Sequence, residues 1–183
     1  MRPTIGLILG SLRENSSSSL LAGALKASLG VELTFLDITI GDLPLYNQDL
    51  ETSHIPPAWA RFRTAVTATD GIVFITPEYN RGIPGALKNA LDVGSRPYGR
   101  GVWKGKPTAI ISQSTGILGA TAANQQLRLI LSVMESPVLP GNEMYIPKVT
   151  SLFDSTGRLT APDTANLLKT FLVAFDAWIQ RLR

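Results

Sequence analysis

The sequence predicts a doubly wound α/β domain, and three observations lead there. Short runs rich in Ile, Val, Leu and Phe recur along the chain, and the stretches between them carry apolar residues at three- and four-residue spacing. The two kinds of segment alternate, as they do in a parallel sheet covered by helices on both faces. At 183 residues the chain is long enough to bury a real core, and 1–183 reads as one domain.

The first strand is Thr4 to Leu9 (TIGLIL), and a serine-opened helix follows over Ser18 to Leu29. A second strand, Glu32 to Asp37 (ELTFLD), leads into an irregular surface segment, Asp42 to Pro57. Pro57 starts a helix to Ala68, since proline suits the first helical turn. Gly71 to Thr76 (GIVFIT) has the continuous apolar character of a strand buried on both sides. A helix over Pro84 to Val93 and a loop over Pro97 to Lys106 bring the chain to a fourth strand, Pro107 to Ser112 (PTAIIS). Thr121 to Val133 is helical by periodicity, and Glu143 to Ile146 forms a weaker fifth strand. In the final helix, Pro162 to Arg183, Leu167, Leu168, Phe171, Leu172, Phe175, Trp178, Ile179 and Leu182 recur at three- and four-residue spacing, so one apolar face should pack on the sheet. This alternation fits the strand order 2-1-3-4-5, which places ligands at the carboxyl ends of the strands beside the switch point.

Composition removes several chemistries. There is no cysteine, so disulfides, thiolate metal sites, Fe–S clusters and cysteine nucleophiles are excluded. The single histidine, His54, leaves no partner for a two-histidine metal site, and in its polar segment it reads as a surface side chain. Lys+Arg 17 against Asp+Glu 14 leaves only +3, with no basic stripe interleaved with aromatics to suggest nucleic acid. The apolar run Ile5 to Leu9 is far short of the roughly 20 residues that span a bilayer and lacks a cleavage-site pattern, so a cytoplasmic protein without membrane insertion is expected.

After the first strand the chain reads Gly10-Ser11-Leu12-Arg13-Glu14-Asn15-Ser16-Ser17-Ser18-Ser19. A phosphate monoester needs short donors, a cation and outward N–H groups, and Ser11, Ser16, Ser17, Ser18, Arg13 and the helix start offer all three. The same serines also make good helix caps and turns, which is the plainer reading. Neither G-x-G-x-x-G nor G-x-x-x-x-G-K-[ST] occurs in this chain. After the third strand comes Thr76-Pro77-Glu78-Tyr79-Asn80-Arg81-Gly82-Ile83-Pro84. Such a loop either presents an aromatic plane and backbone N–H groups to a flat heteroaromatic ring or is an ordinary strand-to-helix turn.

The two segments GSLRENSSS and PEYNRGIPGALKNALD together resemble the NADPH-dependent FMN reductase family, which includes bacterial chromate and quinone reductases and related azoreductases. The resemblance extends over nearly the whole chain, through Asp42 to Tyr46, Ser114 to Gly119 and the closing Ala174 to Ile179. It implies a flavodoxin-like three-layer fold, noncovalent FMN, and NADPH or NADH as co-substrate. It also implies ping-pong hydride transfer through the flavin N5 to quinones, flavins, azo compounds or chromate-like acceptors. Ser11, Arg13, Ser16 and Ser18, with Ser17 between them, fall on the phosphate motif of that family, and Pro77, Glu78, Tyr79, Asn80 and Arg81 on the segment lining the isoalloxazine. Ser114, Thr115 and Gly116 fall on a third loop near the ring. The chain departs from the family pattern at Ser18, where Asn is common, and at Arg81, where a small or aromatic residue is frequent. No catalytic side chain is required, because the flavin carries the chemistry.

The resemblance further implies a homodimer or homotetramer, with Arg128 and Glu143 on positions similar to inter-subunit contacts in tetrameric relatives. Arg81, Lys88, Arg96, Arg100, Lys104 and Lys106 crowd one stretch against the single acid Asp92. They form either a solvated basic face or a site for an anionic partner, with Arg100 a candidate for the NADPH 2′-phosphate. The rival reading is a flavodoxin-type electron carrier or FMN-binding redox sensor without nicotinamide turnover. A serine hydrolase is disfavoured, since no G-x-S-x-G elbow occurs.

Overall fold

The computed structural model describes residues 2–28 and 33–183. Five strands, β1 (Thr4–Leu9), β2 (Thr34–Asp37), β3 (Gly71–Thr76), β4 (Thr108–Gln113) and β5 (Met144–Ile146), form one sheet in the order β2-β1-β3-β4-β5. Every neighbouring pair is parallel. The helices are α1 (Ser17–Ala27), α2 (Leu50–Ser53), α3 (Pro57–Thr67), α4 (Gly85–Gly94), α5 (Thr121–Val133) and α6 (Pro162–Leu182). The fold is thus the flavodoxin-like sandwich anticipated from the alternation of elements.

Two apolar layers hold the sheet. Ile72 and Phe74 of β3 face Trp59 and Phe62 of α3, Leu87 of α4 and Leu127 of α5. Val73 and Ile75, one residue out of phase, face Leu21 and Leu25 of α1 and Phe171 and Phe175 of α6. Each β3 and β4 residue is buried, because helices cover both faces of the central strands. Edge strand β2 is covered less, and Leu36 is 37% exposed. Trp103 sits among Phe62 and Phe74 at centroid distances of 6.0 and 5.8 Å, and its Nε1 donates to the Leu91 carbonyl at 2.9 Å.

The segment after β2 is less irregular than its composition suggests. Asn89 of α4 accepts the Tyr46 N–H at 2.8 Å and donates to the carbonyls of Leu43 and Pro44, both at 3.1 Å. Trp59 Nε1 also donates to the Pro44 carbonyl, and the Tyr46 ring stacks on Trp59 at 5.4 Å. Beyond it, Arg63 of α3 pairs with Glu51 of α2, which fastens that short helix. A four-residue helix contains too little periodicity to be read from sequence. The other differences are shifts of a residue or two at element ends, where fraying and caps decide the boundary. Leu29 and Glu32, expected to end a helix and begin a strand, lie outside the described residues.

Candidate functional site

A cleft of about 180 Å³ opens at the carboxyl ends of β1, β3 and β4. Its lining comes from three loops: Ser11, Arg13, Ser16 and Ser17 after β1, Pro77, Glu78 and Tyr79 after β3, and Ser114 and Thr115 after β4. Gln113, the last residue of β4, also lines it and was not singled out by sequence reasoning. Its position at a strand's carboxyl end was the available signal. The first two loops meet because Gly10 has no side chain. The Gly10 N–H donates to the Ile75 carbonyl at 2.8 Å, and a Cβ there would stand 2.6 Å from Thr76 Oγ1.

At one end of the cleft, Asn15 turns the chain with φ +51 and Ser16 becomes the N-cap of α1. Ser16 Oγ accepts the Ser19 N–H at 3.1 Å, while the Ser19 hydroxyl donates back to the Ser16 carbonyl at 2.7 Å. The capping reading of the serine run is therefore correct for Ser16. The N–H groups of Ser17 and Ser18, in the first turn, have no intrahelical acceptor, and the positive end of the helix dipole lies there. Ser11 Oγ accepts the Arg13 N–H at 3.4 Å, and its own proton remains available. Ser18 differs from expectation, because its side chain is fully buried and accepts from Gln113 Nε2 at 3.2 Å. It supports the cleft floor from below.

At the other end, Tyr79 to Gly82 form a tight hairpin. Tyr79 N–H donates to the Gly82 carbonyl at 2.9 Å and Gly82 N–H returns to Tyr79 at 3.0 Å. Asn80 and Arg81 between them both have positive φ, 49 and 65, the geometry of a type I′ turn. For Arg81 this is an uncommon backbone state, which persists only when its surroundings impose it. Helix α5 imposes it. Gln126 Oε1 accepts the Ile83 N–H at 2.7 Å, and Glu78 Oε2 accepts the Ala123 N–H at 3.1 Å. Arg81 Nη1 lies 3.6 Å from Glu78 Oε1. Glu78 thus caps a helix whose own N-cap, Ala120, has no side chain able to do so. Tyr79 is 48% exposed at the cleft mouth. Asn80 and Arg81 stand beside the lining rather than in it.

The third loop is tied to β5. Ser114 N–H donates to the Ile146 carbonyl at 3.1 Å, Lys148 N–H donates to Gly116 at 2.9 Å, and Ser112 Oγ, buried beneath, donates to the Gly119 carbonyl at 2.8 Å. Gly116 supports the turn and does not line the cleft.

Within the basic run, Arg96 and Lys104 line one hollow with Asp92, Tyr98 and Glu135, apart from the cleft. Helix α4 carries the chain from the carboxyl ends of the strands back toward the start of β4, so Arg96, Arg100, Lys104 and Lys106 lie away from the cleft. Lys88 pairs with Asp92 at 2.8 Å and Lys104 with Glu135 at 2.8 Å. Lys106 donates to the Thr67 and Thr69 carbonyls, and burial lowers its pKa. Arg100 is exposed and does not line the cleft. Arg128 is largely engaged within its own chain, donating to Asn124 Oδ1 at 3.0 Å and to the Leu139 carbonyl at 3.4 Å. Hydrogen bonds from the Tyr145 phenol and Gln125 hold the exposed Glu143 carboxyl below its usual range. His54 is an exposed residue at the end of α2.

The cleft therefore joins a hydroxyl-rich helix start to a half-exposed tyrosine and a hairpin rich in N–H groups, at a topological switch point. The sequence profile of the NADPH-dependent FMN reductases matches residues 3–151. The chain belongs to that family. It is 42% identical over 177 residues to a quinone reductase of Pseudomonas putida, covering 97% of this chain and 95% of that one. It is 40% identical over 179 residues to a 2-hydroxy-1,4-benzoquinone reductase of a Burkholderia species, covering 98% and 97%. Among solved structures, the flavoenzyme NAD(P)H:(acceptor) oxidoreductase FerB of Paracoccus denitrificans superposes with a TM-score of 0.91 at 37% identity over 98% of both chains. As a member of this family the chain is a flavoprotein oxidoreductase that uses FMN and NAD(P)H. Among the described residues no helix is long and apolar enough to cross a membrane.

Proposed function

We propose that the cleft holds FMN noncovalently and that the protein is an NAD(P)H-dependent quinone reductase. The observation that carries this reading is the pairing, in one cleft, of an anion site with a ring site. Ser11, Arg13, Ser16 and Ser17 meet the phosphate with hydroxyls, a guanidinium and the two open N–H groups of α1. Pro77, Glu78 and Tyr79, with Asn80 and Arg81 behind them, flank one side of the isoalloxazine, and Ser114, Thr115 and the Gly116 turn flank the other. The Gly10 approach fits as well, since any side chain there would separate the two halves of the cradle.

FMN, when bound, supplies the redox chemistry, taking hydride from NAD(P)H and passing electrons to an acceptor. What the chain adds is position and field. The N–H groups of Asn80 and Arg81 take no part in the hairpin's own two bonds, and with the Arg81 guanidinium they favour negative charge developing near the turn. Glu78 and Gln126 keep that turn in place, so its dipoles need little reorganisation during turnover. Tyr79 borders an open mouth, which leaves a ring face accessible first to the nicotinamide and then, after its departure, to the acceptor. Quinones are the acceptor class to which the relatives point, with free flavins, azo compounds and chromate-like oxyanions as further substrates of the same exposed face. A homodimer or homotetramer is part of this proposal.

The test is an anaerobic titration of FMN-reconstituted protein. Bound flavin absorbing near ~450 nm bleaches on addition of NADPH or NADH and returns when a benzoquinone is added. Flavin that binds but stays oxidised with both nicotinamides makes the protein a carrier or sensor, and flavin that does not bind removes the proposal.

A further inference from the structure

A larger hollow of about 640 Å³ lies beside the cleft, across the carboxyl ends of β1 and β2. Leu7, Leu9, Leu12 and Ile40 give it apolar walls, and Asp37 and Thr39 stand at its β2 side. It meets the cleft at Ser11, which lines both. Leu12 is 56% exposed and lies over Gly41, where a Cβ would stand 3.2 Å from its Cδ2. A mostly apolar hollow of this size with a few polar groups has the usual make-up of a small-molecule site.

The strand order β2-β1-β3-β4 sets three compartments in line across the top of the sheet. The ring end lies over β3 and β4, the start of α1 over β1, and the hollow over β1 and β2. A dinucleotide lies this way across a switch point, one half on each side with its pyrophosphate at a helix N-terminus. We propose that the hollow receives the adenosine half of FAD, whose flavin half occupies the cleft, so that the protein binds the dinucleotide as well as FMN. The proposal rests on the FMN reading above.

Two features of the rim fit this ligand. Asp37 closes β2, where a carboxylate meets ribose hydroxyls in dinucleotide folds. It is already neutralised by Lys26, whose Nζ donates to both carboxylate oxygens at 2.8 and 2.7 Å, and the oxygens keep lone pairs for hydroxyl donors. Asp42 is likewise paired with Arg61. The rim therefore carries no uncompensated negative charge against the second phosphate, and the apolar walls take the purine.

The test is calorimetric titration of apoprotein with FMN, FAD and riboflavin. The wild type binds FAD with a Kd within about threefold of that for FMN, and binds riboflavin at least about tenfold more weakly. Thr39→Trp, at an exposed position two residues beyond β2, fills the hollow. It weakens FAD by about tenfold or more and leaves FMN within about twofold, and retained FMN binding shows that the variant is folded. Asp37→Ala weakens FAD severalfold in the same selective way. FAD binding more than about tenfold weaker than FMN in the wild type, or a Thr39→Trp effect equal on both flavins, overturns the proposal and leaves the FMN site standing. A rise in KM for NADPH in Thr39→Trp, with the FAD to FMN ratio unchanged, would instead assign the hollow to the nicotinamide cofactor's adenosine. Failure of the wild type to bind either flavin removes the proposed function itself.

Discussion

Glu78 accepts the backbone N–H of Ala123 at 3.1 Å, so a side chain from the loop after β3 caps the helix after β4. The pair lies 45 residues apart in sequence, and it makes one rigid piece of two of the three loops that build the cleft. Removing the cap exposes both functions of the residue.

Glu78→Ala should destabilise the fold by about 1 kcal/mol, the usual cost of losing an N-cap acceptor, and should weaken FMN as the hairpin loses its Arg81 partner. Glu78→Gln keeps an acceptor oxygen and restores most of the stability. Urea unfolding of the two apoproteins measures the first effect and flavin titration the second. Equal stability of Glu78→Ala and wild type would remove the capping account.

Asn89 reaches from α4 to three backbone groups of the segment after β2. Asn89→Ala strands the Tyr46 N–H and the Leu43 carbonyl in a largely buried place, while the Pro44 carbonyl keeps Trp59 Nε1, at a cost of roughly 2 to 4 kcal/mol. The midpoint of urea unfolding should fall accordingly. Amide exchange at Tyr46 should accelerate more than exchange in β3, and uniform acceleration would show that the residue contributes packing alone.

Asp70 governs acid behaviour at the opposite end of the sheet. Burial works against its charge, but the Thr4 N–H and the Arg183 guanidinium, both at 2.8 Å, outweigh that and bring its pKa below the ordinary 3.8. A folded pKa lower than the unfolded one contributes stability that is present above the unfolded value and is lost as pH falls through the folded value. Asp70→Asn should therefore lower the unfolding midpoint at about pH 7 and lose progressively less, relative to wild type, below about pH 4. A difference that stays constant from neutral to acid would contradict the linkage.

The strands were legible because both faces of the sheet are covered, so that GIVFIT, and TAIIS before Gln113, are uninterrupted in apolar or small residues. The cleft was legible in its parts, since the serine run and the PEYN segment each follow a strand directly. What sequence could not supply was direction and partnership. Ser18 and Ser17 are adjacent and chemically identical, yet one hydroxyl points beneath the cleft and one lies along it, because successive helical positions are turned by about 100°. Gln126 gave no local signal, since its partner Ile83 is 43 residues away. The basic run shows the opposite case, because its residues are close in sequence and a helix of ten residues lies between Arg81 and Arg96.

The approach of Gly10 to Thr76 has a consequence for the life of the protein in a cell. The cleft exists only after β1 has paired with β3, Leu9 beside Ile75, across a long stretch of chain. No fragment holding one loop has the others to complete it. A flavin held by all three loops therefore binds the assembled sheet and not the unfolded chain, and each tenfold excess of free flavin over its Kd adds about 1.4 kcal/mol to the folded state. On the proposed site, flavin supply therefore raises the share of newly made chains that stay folded.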